Sequence, residues 1–402
     1  MDKAQEKAQE MMSFLKKQDS TWLATTILMI TIVVTVLSMF SYITGKLQLR
    51  ELNCTKMETK YTTKPHPTIK SLTNTQKDFP LADYYIKSAY NCCSGGHFKN
   101  SYVDTCHLET AIRQGCRVLD FEIYSIDNKP VIATSSIPMI VDNSMNEESF
   151  AFKETYNHIP LEDALNIVNK KAFSGDCPNQ EDLLFLHFRI KSNNVEMYKN
   201  MADTIVATIG GLILPPKYGQ EKESYGLPVK PISQILKENK IVIIVDKTNP
   251  TYEGTALYDY VNIASGTSNM KKITTFSLLN TEDHDNLRIE NKSNLCILIP
   301  DTDIKNDNPP LTIANSVGCQ MTAMNLSKED GNRDFYDEFF KKAAFVRKEK
   351  EELRYTVDEH ENPKDGVDND PMCEWQDETK KWIPTDCCED VRGGDCSPPS
   401  ED

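Results

Sequence analysis

The run Leu183 to Ile190, LLFLHFRI, is apolar at every position but two and has the length of a strand buried on both faces. Three further runs share that character: Arg117 to Ile123 (RVLDFEI), Ile241 to Val245 (IVIIV) and Leu295 to Ile299 (LCILI). Between them lie helical patterns such as Val103 to Gln114 (VDTCHLETAIRQ) and Leu161 to Lys171 (LEDALNIVNKK). Near-continuous apolar strands separated by helices predict a parallel sheet covered on both sides. The alternation extends from Phe79 to Arg354, roughly 276 residues, close to the ~250 of an eight-stranded (β/α) barrel. A doubly wound open sheet has the same periodicity and stays open as the alternative at this point.

Outside that region the chain changes character twice. From Ser20 to Gly45 no residue is charged, and Trp22 to Ile43 (WLATTILMITIVVTVLSMFSYI) is apolar apart from Thr and Ser. As a helix it is about 33 Å long, enough for a hydrocarbon core of ~30 Å, and it exceeds the ~7–15 apolar residues of a cleaved signal. A single-pass transmembrane helix is expected over residues 21–44, with Trp22 and Tyr42 at the two interfaces. Lys16 and Lys17 on one side and Lys46 and Arg50 on the other leave its orientation open. Residues 1–20 read as a short polar segment. Residues 45–77, rich in Thr and Lys with Pro65 and Pro67, read as an extended stalk.

The formal net charge of −15, from 45 Lys+Arg against 60 Asp+Glu, is concentrated at the other end. From Tyr355 onward 15 acidic residues stand against 4 basic ones, so the preceding 354 residues carry only about −4. Such a nearly balanced region has no basic excess to attract nucleic acid or anionic lipid over long range. A hydrophobic content of 39% excludes a polytopic membrane protein. Residues 355–371 read as an acidic, solvated linker, and residues 372–402 as a Cys-rich acidic tail suited to a basic protein partner.

Particular segments decide between barrel and open sheet. Pro80 to Gly96 (PLADYYIKSAYNCCSGG), then a helix, then GCRVLDFEIYS from Gly115 and KPVI from Lys129, resemble the first (X) half of the catalytic barrel of phosphatidylinositol-specific phospholipases C. GCQMTAMNLSKED from Gly318 and AFVRKEKEELR ending at Arg354 resemble the second (Y) half. The middle, from about Asp142 to Ile232, matches by strand pattern alone. The resemblance implies an α/β fold, a TIM-type (β/α)8 barrel of the phospholipase C-like phosphodiesterase superfamily over residues 78–354. It also implies a site at the C-terminal ends of the strands.

Cleaving a phosphodiester beside a free hydroxyl needs a base, an acid and a cation against the charge developing on phosphorus. The family uses two histidines for the proton transfers, and its calcium-dependent members hold the ion with an asparagine and several carboxylates. Carried over, the first histidine position is Tyr90, in the run Ser88, Ala89, Tyr90, Asn91, and the second is Thr134, after Pro130, Val131, Ile132 and Ala133. A phenol with an ordinary pKa near ~10 is a poor base at neutral pH, and a threonine hydroxyl is not a useful acid. Both histidines are therefore expected to be missing. The ligand positions persist better: Asn91, Asp120 and Glu122 match the family's metal ligands, and a period of two puts both carboxylates on one strand face, as a calcium site requires. A buried, structurally satisfied cluster is the other reading of that pair. The family's fourth ligand falls on Phe188 or Arg189, and an inward Arg189 brings a fixed positive charge to phosphate or to the carboxylates.

His187 is the remaining candidate for a rearranged catalytic site, since strand alternation points either it or Phe188 into the barrel; a packed strand residue is the competing reading. His97 and His107 follow the first strand, and the helix carrying His107 places it outside the lumen. No HxH, HExxH or GxSxG pattern occurs. Cys116 and Cys319 fall where the family itself has cysteine and read as buried thiols, whereas Cys92 and Cys93, beside the site, read as packing residues or disulfide partners, with a nucleophilic role as the other reading. Cys373, Cys387, Cys388 and Cys396 lie within 24 residues and can close two disulfides; their spacings do not fit paired zinc knuckles. Tail disulfides place the ectodomain in an oxidising lumen, outside the cell or on a virion, and sequons at Asn53, Asn291 and Asn325 agree with that side, although Asn325 falls in the GCQ strand region and is a poor glycan site. The expected function is a single-pass membrane-anchored, catalytically silent barrel used for binding or structure, for instance a minor virion or envelope component of a large DNA virus. The alternative is an active phosphoric diester hydrolase cleaving phosphatidylinositol-type substrates with a rearranged site.

Overall fold

The computed structural model describes residues 2–17, 20–63, 68–137, 152–218, 226–302 and 307–353, with the strand residues 356–357, 363–364, 373–376 and 381–384. It divides into two compact units, residues 1–52 and 53–402. In the first, α1 (Asp2–Lys17) is followed by the apolar part of α2 (Ser20–Thr63). Ile27, Leu28, Met29, Val33, Leu37 and Phe40 are all more than half exposed. The hydroxyls of Thr31, Thr35 and Thr44 donate to carbonyls of the preceding turn, which hides their polarity within the helix. Among the described residues, one helix is thus long and apolar enough to cross a membrane.

The second unit corrects the extended stalk expected over residues 45–77, because the chain stays helical to Thr63. Asn53, Met57 and Tyr61 recur every fourth residue, all buried, and Met57 and Tyr61 join the main core cluster. That stripe docks the helix on the barrel, with Lys60 donating to Leu326 O at 2.9 Å and the Asn53 amide on Ser101. A disulfide from Cys54 to Cys106 ties the same segment to α4 (Thr105–Arg113). Farther on, α3 (Asn74–Lys77) starts with a Thr73 capping box, and Ile69 and Leu72 are buried beneath it.

Eleven strands make one sheet. They are β1 (Tyr84–Ala89), β2 (Val118–Ile126), β3 (Lys129–Ile132), β4 (Ile159–Pro160), β5 (Leu184–Ile190), β6 (Ile241–Asp246), β7 (Ile263–Ser265), β8 (Met270–Thr274), β9 (Leu295–Ile299), β10 (Met321–Met324) and β11 (Phe345–Arg347). The path β7-β6-β5-β2-β1-β10-β9-β8 is parallel throughout. Its two ends, β7 and β8, are consecutive in sequence and are joined by Gly266 N–H and Thr267 N–H bonds to Met270 O. The ring is therefore nearly closed, with a seam at β7/β8, which decides for the barrel over the open sheet. On its flank β3 and β4 add an antiparallel pair beside β2, and β11 runs antiparallel to β1.

Alternation along the strands sorts side chains into two layers. Leu184, Leu186, Phe188 and Ile190 of β5 face outward onto α5 (Leu161–Lys171) and α6 (Val195–Ile209), in one cluster with Leu165, Val168, Met201 and Ile205. Phe185 faces inward with Val118, Val242, Ile244, Ile297 and Met321, an apolar plug filling the lower barrel. The same parity sends His187 and Arg189 into the lumen beside Asp120 and Glu122, so the ambiguity between Phe188 and Arg189 resolves to Arg189. At the entry end of β2, Arg117 is buried and forks onto Ala172 O (3.1 Å) and the side chain of Asn179 (3.2 Å), fastening the connection between α5 and β5.

Candidate functional site

The polar upper layer of the lumen is built at the C-terminal ends of β1, β2, β5, β6 and β7. Asp120 pairs with His187 and Glu122 with Arg189 in the β2/β5 register, so four ionisable side chains share one layer. Asn91 follows β1 at a φ of 42°, the left-handed region that asparagine tolerates better than most residues. That turn aims its backbone N–H at Asp120 Oδ2, 3.0 Å away.

Arg189 is the hub. Its Nε donates to Asp120 Oδ1 (3.0 Å), its Nη2 to Asp120 Oδ2 (3.0 Å) and to Asn91 Oδ1 (2.7 Å), and its Nη1 stands 3.5 Å from Glu122 Oε2. The Tyr90 ring lies against the guanidinium, 4.5 Å from centroid to Cζ. Glu122 also receives the Tyr124 hydroxyl at 2.7 Å and the Asn91 amide at 3.4 Å. Burial alone pushes the Asp120 carboxyl up, but Arg189 and His187 overcome it and hold Asp120 well below the usual carboxylate range. The converse holds for the guanidinium: burial disfavours its charge, and Asp120, Tyr90 and Glu122 outweigh that and raise its pKa.

His187 bridges two side chains. Its Nδ1 lies 2.8 Å from Asp120 Oδ1 and its Nε2 2.9 Å from Ser265 Oγ on β7. An N–H at Nδ1 donating to Asp120 leaves Nε2 to accept the Ser265 hydroxyl, an acid–imidazole–hydroxyl relay. All three residues are fully buried, so in this conformation no substrate atom reaches the hydroxyl. Beside them Asp246 is clamped by Lys272 Nζ at 2.7 and 2.8 Å, which keeps its pKa low against the upward push of burial.

The two positions of the expected lost histidines are both occupied by tethered groups. Burial drives the Tyr90 phenol upward with only partial relief from Arg189, so it is no base near neutrality. The Thr134 hydroxyl donates to Phe98 O at 3.0 Å. Asn91, Asp120 and Glu122 do come together as their spacing predicts, but what they surround is a guanidinium. Calcium takes 6–8 oxygen ligands at roughly 2.3–2.6 Å. Here the oxygen ligands of all three residues are committed to Arg189, Tyr124, His187 and Asn91, so the set as arranged does not fit that ion.

Ser265, Tyr124 and the Asp246–Lys272 pair belong to the site without having been singled out in the sequence. The three-residue strand carrying Ser265 has no periodic signature. Cys92 and Cys93 are buried, and burial raises both thiols, which agrees with packing over nucleophilic roles. Cys116 and Cys319 are buried free thiols as expected. The asparagines of all three sequons are buried, which corrects the reading of Asn53 and Asn291 as glycan sites and agrees with Asn325 being a poor one. His107 lies outside the lumen as expected, yet fully within the packing. Cys387, Cys388, Cys396 and the side chain of Cys373 lie outside the described residues, so the tail disulfides do too; of the tail itself, Cys373–Gln376 pairs antiparallel with Lys381–Pro384.

No protein-family model matches the chain, and no curated protein matches it either. Among solved structures, PLC21 of L. pealei matches at a TM-score of 0.54 and 19% identity, over 71% of this chain and 39% of that one. PLC21 of S. officinalis matches at 0.54 and 18%, with the same coverage. A calcium-dependent phosphoinositol-specific phospholipase C from Pseudomonas sp. is matched over 99% of its length at 8% identity and a TM-score of 0.43. The chain thus spans well under half the length of the two PLC21 proteins, and what it shares with them is a phospholipase C-like barrel fold.

Proposed function

We propose that the chain is a membrane-anchored phospholipase C-like barrel that is catalytically silent and serves as a binding or structural module. One observation carries this reading: a fully engaged arginine stands among Asn91, Asp120 and Glu122, where the family's chemistry calls for an exchangeable cation. Two losses reinforce it. The positions for the proton-transferring histidines hold a tethered threonine and a tyrosine of raised pKa, and general acid–base catalysis contributes typically about 10²–10⁴-fold. The apolar part of α2 supplies the anchor, and the acidic tail is the segment for docking a basic protein surface.

A second reading, an active phosphodiesterase with a rearranged site, is favoured by one observation, the Asp120–His187–Ser265 relay. Turnover separates the two. The full-length protein in detergent is offered phosphatidylinositol and a soluble phosphodiester, with calcium or with chelator. The silent reading expects no product above buffer in either condition. Calcium-dependent turnover abolished by Asp120→Asn overturns it, and metal-independent turnover abolished by His187→Gln replaces it with the rearranged site.

A further inference from the structure

Away from the lumen, the end of α2 and the start of α4 bring together Cys54, Cys106 and His107, whose ligand atoms all lie within 4.8 Å of one another. In the structure the two sulfurs form a disulfide. His107 beside them is 2% exposed, and neither of its ring nitrogens has a hydrogen-bond partner among the described residues. Buried imidazoles normally satisfy at least one nitrogen, because an unpaired polar atom loses its water without compensation. The loop after β1 closes tightly on this ring: a Cβ at Gly95 would stand 1.8 Å from His107 Nε2. A histidine buried, orphaned and beside two sulfurs has the form of a ligand.

We propose that Cys54, Cys106 and His107 form a soft-metal site that takes one divalent cation of the zinc class when the thiols are reduced. Disulfide and metal are alternative occupants of the same place. A dithiol reductant supplies the two electrons and two protons that open the disulfide to two thiols and is itself left as a disulfide. The entering cation then displaces both thiol protons and binds two thiolates and one imidazole nitrogen. Two sulfurs and one nitrogen suit zinc or cobalt(II) rather than calcium or magnesium, and a three-residue set leaves a fourth position for water. The site lies on the segment that docks the end of α2, so it stands independently of whether the lumen turns substrate over.

The test uses full-length protein in detergent with Cys373, Cys387, Cys388 and Cys396 changed to Ser, which removes the competing tail thiols. After reduction and under nitrogen, cobalt(II) titration is expected to raise a thiolate-to-metal charge-transfer band that saturates at one equivalent and is discharged by zinc. The unreduced protein shows none. Cys106→Ser and Cys54→Ser each abolish the band, and His107→Phe, which refills the packed space, weakens cobalt binding at least tenfold. Zinc raises the melting temperature of the reduced protein and leaves that of the oxidised protein unchanged. A reduced protein of native circular dichroism with no band overturns the proposal, as does a band that survives His107→Phe at full affinity or both cysteine changes. Should His107→Phe fail to fold, the two cysteine variants decide the outcome.

Discussion

Arg117, at the entry of β2, and Arg189, near the exit of β5, are both sealed from solvent, yet their surroundings differ in kind. Arg117 is held by the Ala172 carbonyl, the Asn179 side chain and the Cys177 sulfur, and burial lowers its pKa although Cys177 and Asp182 pull the other way. Arg189 is held by two carboxylates and an amide oxygen, and its pKa rises in spite of burial. The first fastens backbone at the closed end of the barrel. The second neutralises charge in the polar upper layer of the lumen. Of the two, Arg189 is bonded directly to carboxylates and so ties folding closely to their protonation.

Removing the charge at the mouth is expected to have the largest effect. Arg189→Met leaves Asp120 and Glu122 buried without a counter-ion and should cost about 3–5 kcal/mol at pH 7 by urea denaturation. The pH dependence should reverse as well. In the parent, Asp120 is held below its unfolded value, so its contribution is complete above about pH 4 and is lost as pH falls through the depressed value. With Arg189 gone, burial raises Asp120 instead, the folded state binds the extra proton, and stability rises as pH falls from 7 towards 4. A variant that weakens in parallel with its parent over that range would break the contrast.

Arg117→Met should cost about 2–3 kcal/mol by leaving buried carbonyls unpaired. That loss should vary less between pH 5 and 8 than the Arg189→Met loss, because the nearby Asp182 is bonded to Leu72 N and the Asn179 amide rather than to Arg117; an equally steep slope would show the two arginines to be alike. A smaller effect sharpens the comparison further. Tyr90→Leu removes the ring from Arg189 while keeping the ion pairs, and about 1–2 kcal/mol is expected. In the Arg189→Met background the same change should have little effect, so the double-mutant cycle measures the coupling directly.

Much of the barrel was legible in the chain. β2, β5, β6 and β9 follow their apolar runs, and α5 begins and ends at the predicted residues. The pairing of Asp120 with Glu122 was readable because a strand has a fixed period of two. Which of Phe188 and Arg189 faces the lumen was not, because every β5 residue is buried and a one-residue shift leaves the pattern intact. The helix after residue 45 was obscured by its Thr and Lys content. Its stripe at Asn53, Met57 and Tyr61 is polar at one end and has meaning only against the barrel that covers it. The Cys54–Cys106 bond joins residues 52 apart, a proximity that exists only once α2 and α4 are packed. Ser265 depends on a strand of three residues, too short for any periodicity to register.

The seam between β7 and β8 has a dynamic consequence. Every other neighbouring pair in the ring is zipped by a parallel ladder, whereas here, among the described residues, the backbone bonds are those of Gly266 and Thr267 to Met270 O. Opening a ring requires one break, and the break with the fewest bonds to lose is the one that occurs most often. Amide deuterium uptake should therefore start at residues 263–274 and reach β2 and β5 last. Since β7 carries Ser265, the hydroxyl sealed against His187 sits on the strand that fluctuates first.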